Sequence, residues 1–125
     1  MSTKHILIIE DEADIREALL ETVTEAGFNV SVAENGAIGL EKAITEKPDL
    51  ILLDLKMPVM DGHTTLGKLR EDAWGKNAKV IVLTSMDDVR NIASSYENTI
   101  SDYIIKGHTS LADVLQKVRV HLFTE

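Results

Sequence analysis

Cysteine is absent from the 125 residues. That excludes a disulfide framework and any thiolate metal site, and it fits a reducing compartment. Long apolar runs are lacking as well. The N-terminal Ile6-Leu7-Ile8-Ile9 gives way at once to acids, too short for a signal peptide or a membrane span. A cytoplasmic location without membrane association is expected. Basic residues are in deficit, 13 Lys and Arg against 21 Asp and Glu, for a net charge of −8. A surface that binds nucleic acid directly needs clustered cations and is argued against. An acidic metal pocket or a cationic partner remains compatible. There is no linker and no low-complexity stretch. With 44% hydrophobic residues, the length suits one globular domain spanning 1–125.

What is present is organised around Asp54. It ends the apolar run Leu50-Ile51-Leu52-Leu53, which suits a strand buried on both faces. Pro58 stops the strand, because proline cannot donate to a ladder, and Asp61-Gly62 marks a turn or helix start. A carboxylate leaving a buried parallel strand sits where open α/β sheets place their chemistry.

The rest of the chain repeats one unit. Lys4 to Ile9 reads as a strand. A helix follows with Ile15, Leu19, Val23 and Ala26 at helical spacing, ending at Gly27. Phe28 to Ala33 alternates as a second strand. Asn35 can cap a helix from about Gly36 to Glu46, with Ala37, Leu40, Ala43 and Ile44 inward; Gly36 and Gly39 weaken it and Pro48 breaks it. Asp61 to about Ala73 is a third helix. Lys79 to Leu83 is a fourth strand that ends at Thr84-Ser85. Val89, Ile92, Ala93 and Tyr96 mark a fourth helix ending near Asn98. Asp102 to Ile105 is a fifth strand, and Thr109 or Ser110 caps a last helix carrying Leu111, Val114, Leu115, Val118 and Leu122. Five strand-helix units imply an α/β fold: a doubly wound, flavodoxin-like parallel sheet in the order 2-1-3-4-5, helices on both faces.

In that order the carboxyl ends of strands 1, 3, 4 and 5 carry Glu10 and Asp11, then Asp54, then Thr84, then Lys106. Converging carboxylates repel at low dielectric. A hard cation such as Mg²⁺, which keeps several waters, suits an open site with few protein ligands. An Asp carboxylate can attack phosphorus and form an acyl phosphate. The phosphoryl oxygens then need neutralising by metal, lysine and hydrogen-bond donors. Asp54 as nucleophile, Asp11 on the metal, and Thr84 and Lys106 on the phosphoryl group form a complete set of parts.

Ile8 to Glu12, Pro48 to Gly62, Val82 to Ser85 and Asp102 to Lys106 closely resemble the receiver domain of two-component response regulators, over essentially the whole chain. The resemblance implies a single-domain, phospho-accepting response regulator. A sensor histidine kinase or histidine phosphotransfer protein would pass a phosphoryl group to Asp54. Asp11, Asp54 and the backbone carbonyl of Lys56 would bind Mg²⁺ (or Mn²⁺), with Glu10 acting on the metal through water. Thr84 and Tyr103 would be the switch pair. Lys56 and Met86 would tune phosphoryl lifetime. The face built from helix 4, strand 5 and helix 5 would meet a downstream target protein. Such a chain promotes its own phosphorylation and dephosphorylation and is not a turnover enzyme. The sequence departs from the family at Gly107, where proline is usual, and at Asn98-Thr99, where Gly-Ala is common.

Other classes fit less well. A haloacid-dehalogenase phosphatase needs a second Asp two residues after the nucleophile, and Lys56 stands there. A flavin or nucleotide binder wants a first loop that cradles phosphate, and Glu10-Asp11-Glu12 would repel it. A degenerate receiver used only for protein contacts is the alternative in another class, and the intact acids, Thr84 and Lys106 argue against it. His5, His63, His108 and His121 lack metal-ligand spacing and are expected to be surface or structural.

Overall fold

In the computed structural model, residues 3–95 and 99–123 are described, the side chains of 93–95 excepted. Five strands, β1 (His5–Ile9), β2 (Asn29–Ala33), β3 (Leu50–Asp54), β4 (Val80–Thr84) and β5 (Asp102–Ile105), form one sheet in the order β2-β1-β3-β4-β5. Every pairing is parallel. The helices are α1 (Ala13–Glu25), α2 (Gly36–Glu46), α3 (Gly62–Glu71), α4 (Val89–Ser95) and α5 (Leu111–Phe123). The strand order expected from the sequence is the observed one.

The sheet separates two apolar clusters, because successive strand residues point to opposite faces. Ile6, Ile8, Leu50, Leu52, Ile81 and Leu83 meet α1 and α5 through Leu19, Val23, Val114 and Val118. Leu7, Ile9, Ile51, Leu53, Val80 and Val82 meet α2, α3 and α4 through Ala43, Leu66, Leu69 and Ile92. β1, β3 and β4 are therefore apolar on both faces, which is why they read as continuous runs.

Local signals fix most boundaries. The Asn35 side chain accepts from Ile38 N at 2.9 Å, Asp61 from Thr64 N at 2.8 Å and Ser110 from Asp113 N at 3.1 Å, each capping its helix. Gly27, at φ +99°, closes α1.

Several sequence expectations are corrected. β2 begins at Asn29 rather than Phe28, and β4 begins at Val80 rather than Lys79. α3 ends at Glu71, because Asp72 adopts an extended conformation and caps Trp74 N and Gly75 N with its carboxylate; Ala73 lies beyond the helix and is exposed. Ile44 is exposed rather than inward. The buried positions of α2 include Gly36 and Gly39. A Cβ on Gly39 would lie 2.5 Å from Ile9 Cδ1, and one on Gly36 would lie 2.3 Å from the Met60 carbonyl oxygen. These glycines lower helix propensity but let α2 approach β1 and the loop after β3. Tyr96 and Asn98 lie outside the described residues.

Candidate functional site

Each candidate position is set by backbone at a strand exit. Glu10 continues β1 by donating its N–H to Ala33 O at 3.0 Å. Its side chain is fully buried. Arg16 Nη1, one turn into α1, donates to Glu10 O at 2.9 Å and Asp11 O at 3.2 Å. That brace on the acidic loop has no periodic or motif signal in the sequence. Asp54 closes β3 at 2% exposure, and Lys56 N donates to its Oδ1 at 3.2 Å. The chain then turns tightly: Gly62 N donates to Leu55 O at 3.0 Å, and a Cβ on Gly62 would stand 2.3 Å from Asp54 O. Gly62 is thus required for α3 to start against the end of β3. Thr84 closes β4 at 4% exposure and accepts at its carbonyl from Lys106 N at 2.8 Å. The Lys106–Gly107 peptide is trans, and Gly107 takes φ +79°, a left-handed conformation open to glycine.

The three acids come together as the sequence suggested. Ligand oxygens of Glu10, Asp11 and Asp54 all lie within 4.8 Å of one another. Lys106 Nζ reaches Glu10 Oε1 at 2.9 Å and Asp54 Oδ2 at 3.0 Å. The Lys106 ammonium is thus the one cation among the described residues set between these two buried oxygens, and Asp11 Oδ1, also buried, faces no cation at such a distance. Burial, then hydrogen bonding to Asp54 and its negative charge, pushes the Glu10 carboxyl up to about 8. Burial acts to raise Asp11 too, but hydrogen bonds with Glu10 and Asp54 outweigh it and hold Asp11 below its usual range. Burial works against the Lys106 charge, and contacts with Glu10 and Asp54 overcome it, raising Lys106 above the usual lysine value. Three acids with buried oxygens, served by a single lysine, call for an explanation. An oxygen-lined, negatively charged cluster of this kind fits a hard divalent cation.

The remaining candidates sit around this centre. Tyr103 is partly buried against the cluster that includes Leu53 and Val82, and Lys117 Nζ lies 5.8 Å from its ring centroid. Met86 is half exposed beyond β4. Lys56 points away from Asp54 and pairs with Asp88 at 3.1 Å. Asp88 also accepts from Ser85 Oγ at 3.2 Å. His63 lines the groove between the loop after β3 and α4, together with Lys56 and Asp88. His5 pairs with Glu46 at 2.9 Å and His121 with Asp102 at 3.0 Å, both at the opposite end of the sheet.

A buried acid cluster at the carboxyl edge of a five-stranded parallel sheet, served by one lysine, defines a class. The family model for the response regulator receiver domain matches residues 6–119. The chain belongs to that family. It is 41% identical over 101 residues to the transcriptional activator protein IrlR of Burkholderia pseudomallei, covering 81% of this chain and 43% of that protein. It is 35% identical over 117 residues to the probable transcriptional regulatory protein SilR of Salmonella typhimurium, covering 94% of this chain and 50% of that one. The chain thus spans about half the length of these curated relatives. Among solved structures, the response regulator TrrA of Thermotoga maritima, in complex with Mg²⁺ and BeF, superposes with a TM-score of 0.83 at 34% identity, covering 96% of this chain and 100% of that one. Among the described residues no helix is long and apolar enough to cross a membrane.

Proposed function

We propose that the chain is a phospho-accepting receiver in which Asp54 takes a phosphoryl group from the phosphohistidine of a sensor kinase or phosphotransfer protein. An Asp54 carboxylate oxygen attacks phosphorus. The P–N bond breaks with its electron pair passing to the imidazole, and an acyl phosphate remains on Asp54. Asp11, Asp54 and the Lys56 carbonyl would hold Mg²⁺, with Glu10 acting through water, and the bound ion would neutralise charge on the transferring group. Lys106, already placed at 3.0 Å from Asp54, offers its ammonium to the phosphoryl oxygens. The Thr84 hydroxyl donates to another. Tyr103, on β5 opposite Val82 and two residues before the Ile105 that pairs with Thr84, follows the shift of the Thr84 hydroxyl onto the phosphoryl group and alters the face formed by α4, β5 and α5, which meets the downstream partner. The protein promotes its own loading and unloading and turns over no separate substrate.

The observation that carries this reading is the cluster of buried carboxylate oxygens from Glu10, Asp11 and Asp54, with Lys106 Nζ against two of them. Incubation with acetyl phosphate and Mg²⁺ should add one phosphoryl group at Asp54, located by mass spectrometry after borohydride trapping. Asp54→Asn should abolish it, since an amide is neither nucleophile nor good metal ligand. Stable labelling of that variant elsewhere would overturn the assignment.

A further inference from the structure

The Lys56–Asp88 ion pair joins the loop that carries the phosphoacceptor to the segment that leads into α4. Lys56 stands two residues after Asp54, and its own N–H donates to the Asp54 carboxylate. Its ammonium nevertheless goes 3.1 Å from Asp88 Oδ2. Asp88 ends the short 3-10 turn Met86–Asp88 that follows β4 and precedes α4. A hydrogen bond from Ser85 Oγ orients the carboxylate that receives the lysine. We propose that Asp88 is a positioning residue for acyl-phosphate hydrolysis, acting only through where it holds the Lys56 ammonium. The inference rests on Asp54 being the phosphoacceptor.

Hydrolysis requires a water that attacks phosphorus opposite the Asp54 oxygen. The new P–O bond forms to water, the bond to Asp54 breaks with its electrons returning to the carboxylate, and the water's proton passes to solvent. A flexible lysine two residues from Asp54 has the length to lie across that approach. Its ammonium offers three donors and no acceptor, so it would bind the lone pairs with which the water must attack. Asp88 withdraws it. The acyl phosphate, a dianion, competes with Asp88 for the same charge. The pair is exposed, so Asp88 biases the lysine by a modest factor. When the lysine leaves Asp88, the start of α4 loses its tie to the acceptor loop.

The test is a double-mutant cycle on the half-life of the phosphorylated protein at saturating Mg²⁺. Asp88→Asn keeps an oxygen for Ser85 but removes the charge. It should lengthen the half-life by about two- to fivefold, the range a surface ion pair supports. Asp88→Glu should restore the wild-type value. In a Lys56→Met background, Asp88→Asn should have no effect. An unchanged or shortened half-life in Asp88→Asn, or equal lengthening without Lys56, overturns the inference. Failure of the wild type to take a phosphoryl group at Asp54 is a different result. It overturns the phosphoacceptor reading and this inference with it.

Discussion

The two ends of the sheet treat charge in opposite ways. At the amino end, charged side chains are tied off. Arg70 Nη1 donates to Gly75 O at 2.7 Å and Ala78 O at 2.9 Å, and its Nη2 donates to Thr99 O, so one guanidinium fastens the segments that lead into β4 and β5. Lys79 Nζ donates to His121 O at 2.6 Å. Asp102 takes Lys117 and His121, each at 3.0 Å, and Ser31 and His5 both reach Glu46. At the carboxyl end the acids face one another. Of the four buried side-chain polar atoms without a hydrogen-bond partner among the described residues, three are carboxylate oxygens there; the fourth is Arg70 Nε. One end is arranged for stability. The other gathers buried negative charge around one lysine.

The largest break in this comparison should come from Arg70→Met. The stem's packing is retained, but three carbonyls lose a charged donor at once. A loss of about 2 kcal/mol is expected, with the partial exposure of the site allowing water to replace some of the bonds. Urea unfolding measures it; a change below about 0.5 kcal/mol would show that the amino end is not held this way.

A pH series sharpens the contrast, because the two ends have opposite signs. Glu10 is raised in the folded protein from an ordinary 4.5 to about 8. Its contribution is therefore complete below about 4.5 and lost as pH rises through 8. At Asp102, burial works to raise the carboxyl, and His121 and Lys117 overcome it, so it lies below its usual value. That contribution is present above the unfolded value of 3.8 and lost as pH falls through the lowered one. Metal-free protein should be less stable at pH 9 than at pH 6, and Mg²⁺ should reverse the fall. Glu10→Gln should gain about 1 kcal/mol or more at pH 9 without metal, less at pH 6 and almost nothing at pH 4. Equal urea midpoints for wild type and variant at pH 9 would remove Glu10 as the source.

The same contrast explains what the sequence revealed. The carboxyl end was legible because its groups follow directly on short apolar runs: Glu10 after Ile9, Asp54 after Leu53, Thr84 after Leu83, Lys106 after Ile105. Strand order alone then brings them together. The amino end was not legible, because its ties run from long side chains to backbone carbonyls. Arg70 and Thr99 are joined only by tertiary structure, and no periodicity marks such a bond. The partner of Lys56 was hidden for a related reason. Sequence alone does not choose among the acids open to a long lysine, and in the structure Asp88, its carboxylate oriented by Ser85 Oγ, is the partner. Gly36 and Gly39 misled on propensity, since what decides them is how closely β1 and the Met60 carbonyl approach α2.

The smallest predicted effect lies in the loop that follows Asp54. Val59 has φ +70° and is 83% exposed, while Met60 N donates to Pro58 O across it at 2.8 Å. That bond over a left-handed residue has the form of a γ-turn, which is strained for a β-branched side chain. Nothing buried repays the strain, so it must be tolerated for the course of the backbone. The Met60 carbonyl then meets α2 at Gly36, and Gly62 starts α3 beneath Asp54 O. Val59→Gly removes about 1–2 kcal/mol of local strain. It also frees the unfolded chain, which returns about 0.5–1 kcal/mol. A net gain of about 0.5 kcal/mol should appear in urea midpoints, with labelling at Asp54 retained. A loss of stability would mean that the Val59 side chain holds the loop by contacts of its own, and that strain is not the feature separating this end from the other.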